Sequence, residues 1–484
     1  MSRLRPLAAG LIAAIACLLF ATPAFAFCGF YVARADTSLY NQASQVAIAR
    51  DGDRTVLTMA NDYQGEVQDF ALVVPVPTVI QQEQVNVAEP TILDRLDVFS
   101  APRLGEYFDE NPCFDALIRA AIQLPENEIA QDIRSLIATG AIDASDSETL
   151  LGVTVEASFS AGEYDILILS AEESNGLETW LRQNDYQIPA GSQEVLGAYI
   201  RQGMKFFVAR VNLEAFDQSG YQRLRPLQIA YESPQFMLPI RLGMVNAQGP
   251  QDLLVYLLTP NGQVEITNYR TVEIPSNLDI PLFVKDEFGQ FYSETFQRSY
   301  DQQGRNVAFL EYAWDLRGCD PCAAAPPSVE EMRQAGVFWL PENAEFRNIN
   351  VFITRLHVRY TRDKFPEDLT FQETNNRGLF QGRYVMHHPF VEAEAQRCVD
   401  WFNDYLDYNP GIVGNEDVQE FRRELREVYS EYITREVPEQ FERESQNLAR
   451  LTGRDIDSIR RRISAEVEMP APAVWRLRYP PTSP

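Results

Sequence analysis

The side chains best suited to chemistry in this chain are also its scarcest. Cys319-Asp320-Pro321-Cys322 forms a C-x-x-C, the spacing that holds two thiols within one turn, and a thiolate stabilised there attacks disulfides readily. The histidines number three, His357, His387 and His388, and an imidazole nitrogen is a common zinc ligand. With Cys398 they are weak metal candidates, because no zinc-ligand spacing surrounds them. His387 and His388 are adjacent, so on a strand they point to opposite faces and cannot easily share an ion. With 69 Asp and Glu residues, no carboxylate pair can be singled out as acid and base. Asp51-x-Asp53 and Asp407-x-Asn409 lack the glycine and the closing glutamate of a calcium loop. The hydrolase, P-loop and dinucleotide fingerprints are missing as well, so the sequence calls for no cofactor and the expectation leans away from an enzyme.

The cysteine pair follows a β-like aromatic run, Val307–Trp314, and His357 sits in an alternating strand pattern, Phe352–Tyr360. Locally the pair resembles the active-site turn of thioredoxin-like proteins: a strand, an aromatic residue, C-x-P-C, then a proline five residues on. Gly318 replaces the tryptophan of that pattern, Pro326-Pro327 breaks the helix it requires, and no second strand with a suitably placed proline follows. A short structural disulfide is therefore preferred, with thiol–disulfide exchange through Cys319 and Cys322 as the alternative.

The N-terminus sets the compartment. Arg3 and Arg5 precede an apolar stretch, Leu7–Phe20, and then Ala24-Phe25-Ala26, the pattern of a signal peptide over residues 1–26. That stretch is too short for the ~20 residues a membrane-spanning helix needs, so no transmembrane anchor is expected once the leader is cleaved. An exported, periplasmic or extracellular chain keeps disulfides, which makes Cys28, Cys113, Cys319 and Cys322 disulfide candidates and leaves Cys398 odd. A Cys28–Cys113 bridge would stabilise by about 4–5 kcal/mol in the chain-entropy model. A bridge from Cys398 to Cys319 or Cys322 stays open.

The elements that must position these groups are read from periodicity. Residues 44–60 form two β runs around Asp51-Gly52, a hairpin signal. Phe70–Pro77 is a third run that its prolines demote to an edge. Ile92, Leu93 and Leu96 predict a short helix, and helical spacing returns over 117–137. Strands are expected at 151–159 and 164–170, helices at 174–182 and 193–203, and a strand at 206–211. Further strands are expected at 235–245, 252–258 and 263–274, with Pro260-Asn261-Gly262 as a hairpin turn, and at 346–360 and 380–386. Val418, Phe421, Leu425, Val428 and Tyr432 predict a helix ending at Pro438 and folding back on the β structure, and Ile456, Ile459 and Ile463 predict another. The plan is a signal peptide (1–26), a β-rich block with a helical end (27–145), an α+β block holding the C-x-x-C (150–392), a helical segment (393–469) and a proline-rich tail (470–484). The fold class is α+β, with mixed or antiparallel β-rich core domains and a helical C-terminal segment.

Composition bounds what such a chain does. Its 484 residues are 45% apolar and 23% charged, enough for two or three packed cores. A net charge of −27 argues against nucleic acid and against anionic membrane surfaces. Of the 42 basic residues only Lys205, Lys285 and Lys364 are lysines, a skew typical of genome composition and suggestive of a bacterial source.

As a whole the chain resembles a bacterial family of exported proteins, domain of unknown function 2330. The likeness is carried by Cys28–Asp36, Thr55–Tyr63, Phe70–Thr78, Ser100–Arg103, Tyr107–Asp109, Asn111–Cys113, Ile168–Trp180, Cys319–Cys322, Phe365–Leu369 and Phe371–Glu373. It implies an envelope or extracellular protein and transfers no catalytic residue. The expected function is a non-enzymatic binding or scaffolding module for an unknown protein or envelope ligand, with the thiol–disulfide oxidoreductase as the alternative. Oligomeric state has no signal in the sequence.

Overall fold

The computed structural model describes residues 30–33, 40–64, 70–109, 157–169, 191–390 and 423–466, apart from 222, 246, 248, 319, 321–324, 346–347 and 425. Every cysteine, the 1–26 leader, the 117–137 and 174–182 helical patterns, Asp407 and Asn409, and the 470–484 tail lie outside the described residues. The chain divides into two compact units, one from 1–101, 146–272 and 304–380, the other from 102–145, 273–303 and 381–484.

The first unit is built in layers. Its largest sheet, of nine strands, includes in order Val307–Asp315, Phe352–Tyr360, Gln251–Thr259, Tyr40–Asp51, Arg54–Gln64, Leu227–Glu232 and Val85–Val87. It is mixed: 251–259 lies parallel to 40–51 and antiparallel to 352–360. A second sheet runs Phe30–Ala33, Phe70–Val76, Lys205–Val211, Tyr164–Leu169 and Ala157–Ala161, antiparallel throughout. Period-two alternation sorts the side chains. Val46, Ile48, Leu72, Val74, Phe207, Leu356 and Val358 form a core drawn from both sheets. Ala47, Ala49, Tyr256 and Ile353 face the other way, against Ile92, Leu93, Leu96 and Phe99 of the Thr91–Ser100 helix. The outer face of the second sheet, through Ala71, Val73 and Phe206, packs on Val195, Leu196 and Tyr199 of the Ser192–Arg201 helix.

The Asp51-Gly52 hairpin forms as read, with Asp51 opposite Arg54 and Gly52 at φ +56°. Three readings around proline need correction. The Phe70–Val76 strand is internal, not an edge: it pairs with Phe30–Ala33 on one side, from Phe70 to Val73, and with Lys205–Val211 on the other. Pro260-Asn261-Gly262 closes no hairpin, since 251–259 pairs with 352–360 and Val264–Ile266 pairs with Leu369–Glu373. Gly262 is needed for close approach instead: a Cβ there would lie 2.4 Å from the Asn376 carbonyl. The strand expected over 235–245 shrinks to Met237–Leu238, because Pro239 follows and the Ile240 and Arg241 N–H groups turn onto the Asp368 carboxylate.

The second unit carries a parallel sheet, Leu278–Asp279, Arg383–His388 and Arg103–Phe108. Tyr384 and Met386 pack with Phe291 of the Phe288–Gln302 helix and with Val437, Phe441 and Leu448 of the Val437–Thr452 helix. The Val437–Thr452 helix and Tyr432 thus pack back on β structure, while Val418, Phe421 and Leu425 of the expected helix lie outside the described residues. Pro438 does not end the helix, which continues through a π turn at Tyr432–Glu436 and carries the proline at the start of the next segment, where a missing N–H is tolerated. No helix among the described residues is long and apolar enough to cross a membrane.

Candidate functional site

His357 lies in a ladder of alternating charges in the first unit. Along Phe352–Tyr360, Arg355, His357 and Arg359 share one face, and the even positions enter the core. A β-bulge between Leu310 and Tyr312 leaves Glu311 unpaired in the register; re-aiming a side chain is the usual role of such a bulge. Glu311 is fully buried, accepts from Arg355 Nε at 2.7 Å, and lies 2.8 Å from His357 Nδ1. His357 Nε2 lies 3.2 Å from Asp252, which Arg359 grips in a bidentate pair at 2.7 and 2.6 Å. At the other end Arg355 donates to Asp97 at 2.7 Å, and the Tyr256 hydroxyl donates to the same carboxylate at 2.8 Å.

Burial opposes charge on His357, but Glu311 and Asp252 outweigh it and hold its pKa above the ordinary value. Both ring nitrogens face carboxylates, so the imidazolium, with two N–H donors, is the form that fits. Burial pushes Asp252 up, and hydrogen bonds from His357 and Arg359 overcome it, bringing the pKa down to about 2. A histidine with both nitrogens committed is a charge-balancing group and not a poised base.

His387 and His388 lie on Arg383–His388 in the second unit and face different partners. His387 stands 3.5 Å from Asp109 and 3.5 Å from Asp279, through different ring nitrogens, and stacks on Tyr107. His388 pairs with Glu106 at 3.1 Å and stacks on Phe108. Near His387, buried Glu444 accepts from Gln440 at 2.9 Å. Burial raises the Glu444 pKa well above the carboxylate range, and Asp279 and Asp109 add to the rise. Among the described residues no group of three or more His, Cys, Asp or Glu side chains is arranged to hold a metal, and the structure does not bring His357 together with His387 or His388 in one unit.

Sequence reasoning missed a third feature, an open cleft of about 480 Å³ in the first unit. Phe236, Met237 and Phe371 supply its apolar wall, and Gln202, Gln235 and Asn268 supply amides. The keystone is Asp368. One oxygen accepts from the Tyr199 hydroxyl at 2.6 Å and from two backbone N–H groups; the other accepts from Arg241 Nε at 2.9 Å and Nη2 at 2.6 Å. Arg241 also lies over the Tyr199 ring, 4.6 Å from its centre. Burial, then Asp368, raises the Tyr199 pKa, which keeps the hydroxyl a donor. These bonds fix the wall before any ligand arrives. The sequence offered one clue, Asp368 within the Phe365–Leu369 segment that carries the family resemblance.

The chain belongs to the family described as uncharacterized proteins conserved in bacteria (DUF2330), whose model matches residues 22–372. No curated protein and no solved structure matches it.

Proposed function

We infer that this bacterial protein is exported to the cell envelope and acts there as a non-enzymatic binding module, taking a small ligand into the cleft beside Asp368. The carrying observation is the pre-formed wall: Arg241 is matched to Asp368 and stacked on Tyr199, so its rotamer freedom is already lost before binding. The cleft combines apolar side chains with a few directed polar groups and falls within the usual size of small-molecule sites, about 300–1,000 Å³. Export is supported by the leader pattern at 1–26. The test is fractionation of cells expressing the full chain, followed by ligand-observed NMR of the exported protein against a library of small envelope metabolites. Binding that Gln235→Ala weakens is expected. A reproducible turnover abolished by a single polar substitution would overturn the non-enzymatic reading.

Thiol–disulfide exchange at Cys319 and Cys322 is the second reading. It is favoured by the anchoring of the neighbouring turn, where Trp314 Nε1 donates to the Gly318 carbonyl at 3.2 Å and the Tyr312 hydroxyl to Asp320 at 2.9 Å. It requires insulin-reducing activity that Cys319→Ser removes; equal activity in that variant sinks it.

A further inference from the structure

We propose that the cleft takes a neutral saccharide, an inference that rests on the binding reading above and names its ligand class. The argument starts from charge. Arg241 is the one cation among the residues lining the cleft, and Asp368 already matches it through two bonds to one oxygen. Glu367 adds an exposed carboxylate. A phosphate or carboxylate ligand would therefore meet a net negative wall with its only cation committed. An organic cation fares no better. It needs open aromatic faces, yet the Arg50 guanidinium sits 4.8 Å from the Phe236 ring centre and Phe371 is buried.

The chemistry that remains is neutral and bidirectional. Gln202 and Gln235 are exposed, and their amides have no side-chain partner among the described residues; each can donate and accept. Glu367 accepts. Half-buried Phe236 and Met237 offer an apolar edge beside them. Hydroxyl groups on adjacent sugar carbons call for donors and acceptors side by side, while the C–H face of the ring calls for apolar contact. A peptide would need an open strand edge for main-chain pairing. Here 369–373 has both edges occupied, by 237–238 and 264–266, and 237–238 is only two residues long.

The experiment is calorimetric titration of the full exported chain with cellotriose, maltotriose and chitotriose as neutral probes. Tri-galacturonate, inorganic phosphate and trialanine serve as the contrasting classes. At least one neutral trisaccharide should bind with an affinity that added salt leaves unchanged. Gln235→Ala should weaken it about tenfold, the order expected for one lost hydrogen bond, and Phe236→Ala by more. Gln235 is exposed, so its variant keeps the fold even if Phe236→Ala does not. Val98→Ala, outside the cleft, should change nothing. Binding only of tri-galacturonate, phosphate or trialanine overturns the saccharide assignment and leaves the binding-module reading standing. Failure of all three neutral probes also overturns it, and the library screen then decides the broader reading separately.

Discussion

In each unit of this protein a histidine stands between two carboxylates, and the surroundings make the two sites opposite in character. Around His357 the charges alternate: Asp97, Glu311 and Asp252 are interleaved with Arg355, His357 and Arg359. Around His387 the carboxylates Asp109 and Asp279 are joined by the buried carboxyl of Glu444, which accepts from the neutral Gln440. A buried charge must be paired or must be neutralised by a proton. The first site takes the former course and the second the latter, so the same residue types produce opposite responses to pH and to substitution.

The sharpest way to break the comparison is to remove the centre of the matched site. Glu311→Ala leaves Arg355 and His357 facing each other without the carboxylate that both touch. Breaking a buried pair from one side costs about 3–5 kcal/mol, so urea unfolding should show a loss of that order. A loss below about 1 kcal/mol would mean that water or side-chain rearrangement satisfies the two cations, and the ladder would then lose its structural meaning.

The second largest effect is the pH window of the ladder. Asp252 has its folded pKa lowered to about 2 from 3.8, so its contribution is present above the unfolded value and is lost as pH falls toward the folded one. That is on the order of 2 kcal/mol. His357 has a raised pKa, so its contribution is complete below the unfolded value and is lost as pH rises through the folded one. Melting temperature should therefore fall at both ends, and His357→Gln should flatten the alkaline limb and weaken the acid one without abolishing it, because Arg359 still holds Asp252. An unchanged alkaline limb in that variant would place the titration elsewhere.

The legible and illegible parts of this molecule divide along the same physical line. Local signals were legible: the Asp51-Gly52 turn, the 91–100 helix, and the strand that carries His357. Non-local pairing was not. Nothing near Pro75 says that its strand has a partner on each side, and nothing near Gly262 says that the 374–376 carbonyls pass over it. Glu311 was invisible because simple alternation gives no bulge. A clue lay in Arg355-Leu-His-Val-Arg359, where basic residues alternate with apolar ones. A basic stripe on a strand whose other face is apolar must find carboxylates on neighbouring elements, whichever elements those prove to be.

Glu444 gives the next effect, with the sign opposite to that of Asp252. Its raised pKa means that the stability carried by the neutral carboxyl is complete below the ordinary carboxylate value and is lost as pH rises through the folded one. Glu444→Gln keeps the neutral form at every pH and can still accept from Gln440. Near about pH 4 the variant and the parent should melt alike; near about pH 9 the variant should be the more stable, by about 1.4 kcal/mol for each tenfold change in proton affinity that folding imposes. A variant that is less stable at alkaline pH would show that Glu444 is ionised and paired, and the two histidine sites would no longer be opposites.

The smallest effect tests whether burial, and not pairing alone, separates these sites from ordinary ion pairs. Arg362 and Glu194 approach to 2.9 Å, within the 2.6–3.2 Å span of the ladder's ion pairs, but their side chains are 59% and 80% exposed. Water solvates both partners and screens their attraction, so a pair of this kind contributes about 0–1 kcal/mol. Arg362→Ala should shift the unfolding midpoint by no more than about 0.5 kcal/mol, and added salt should erase the difference. If Arg362→Ala instead cost as much as Glu311→Ala, distance would govern these contacts and not desolvation. The contrast between a ladder that needs every member and a surface pair that needs neither would then fall.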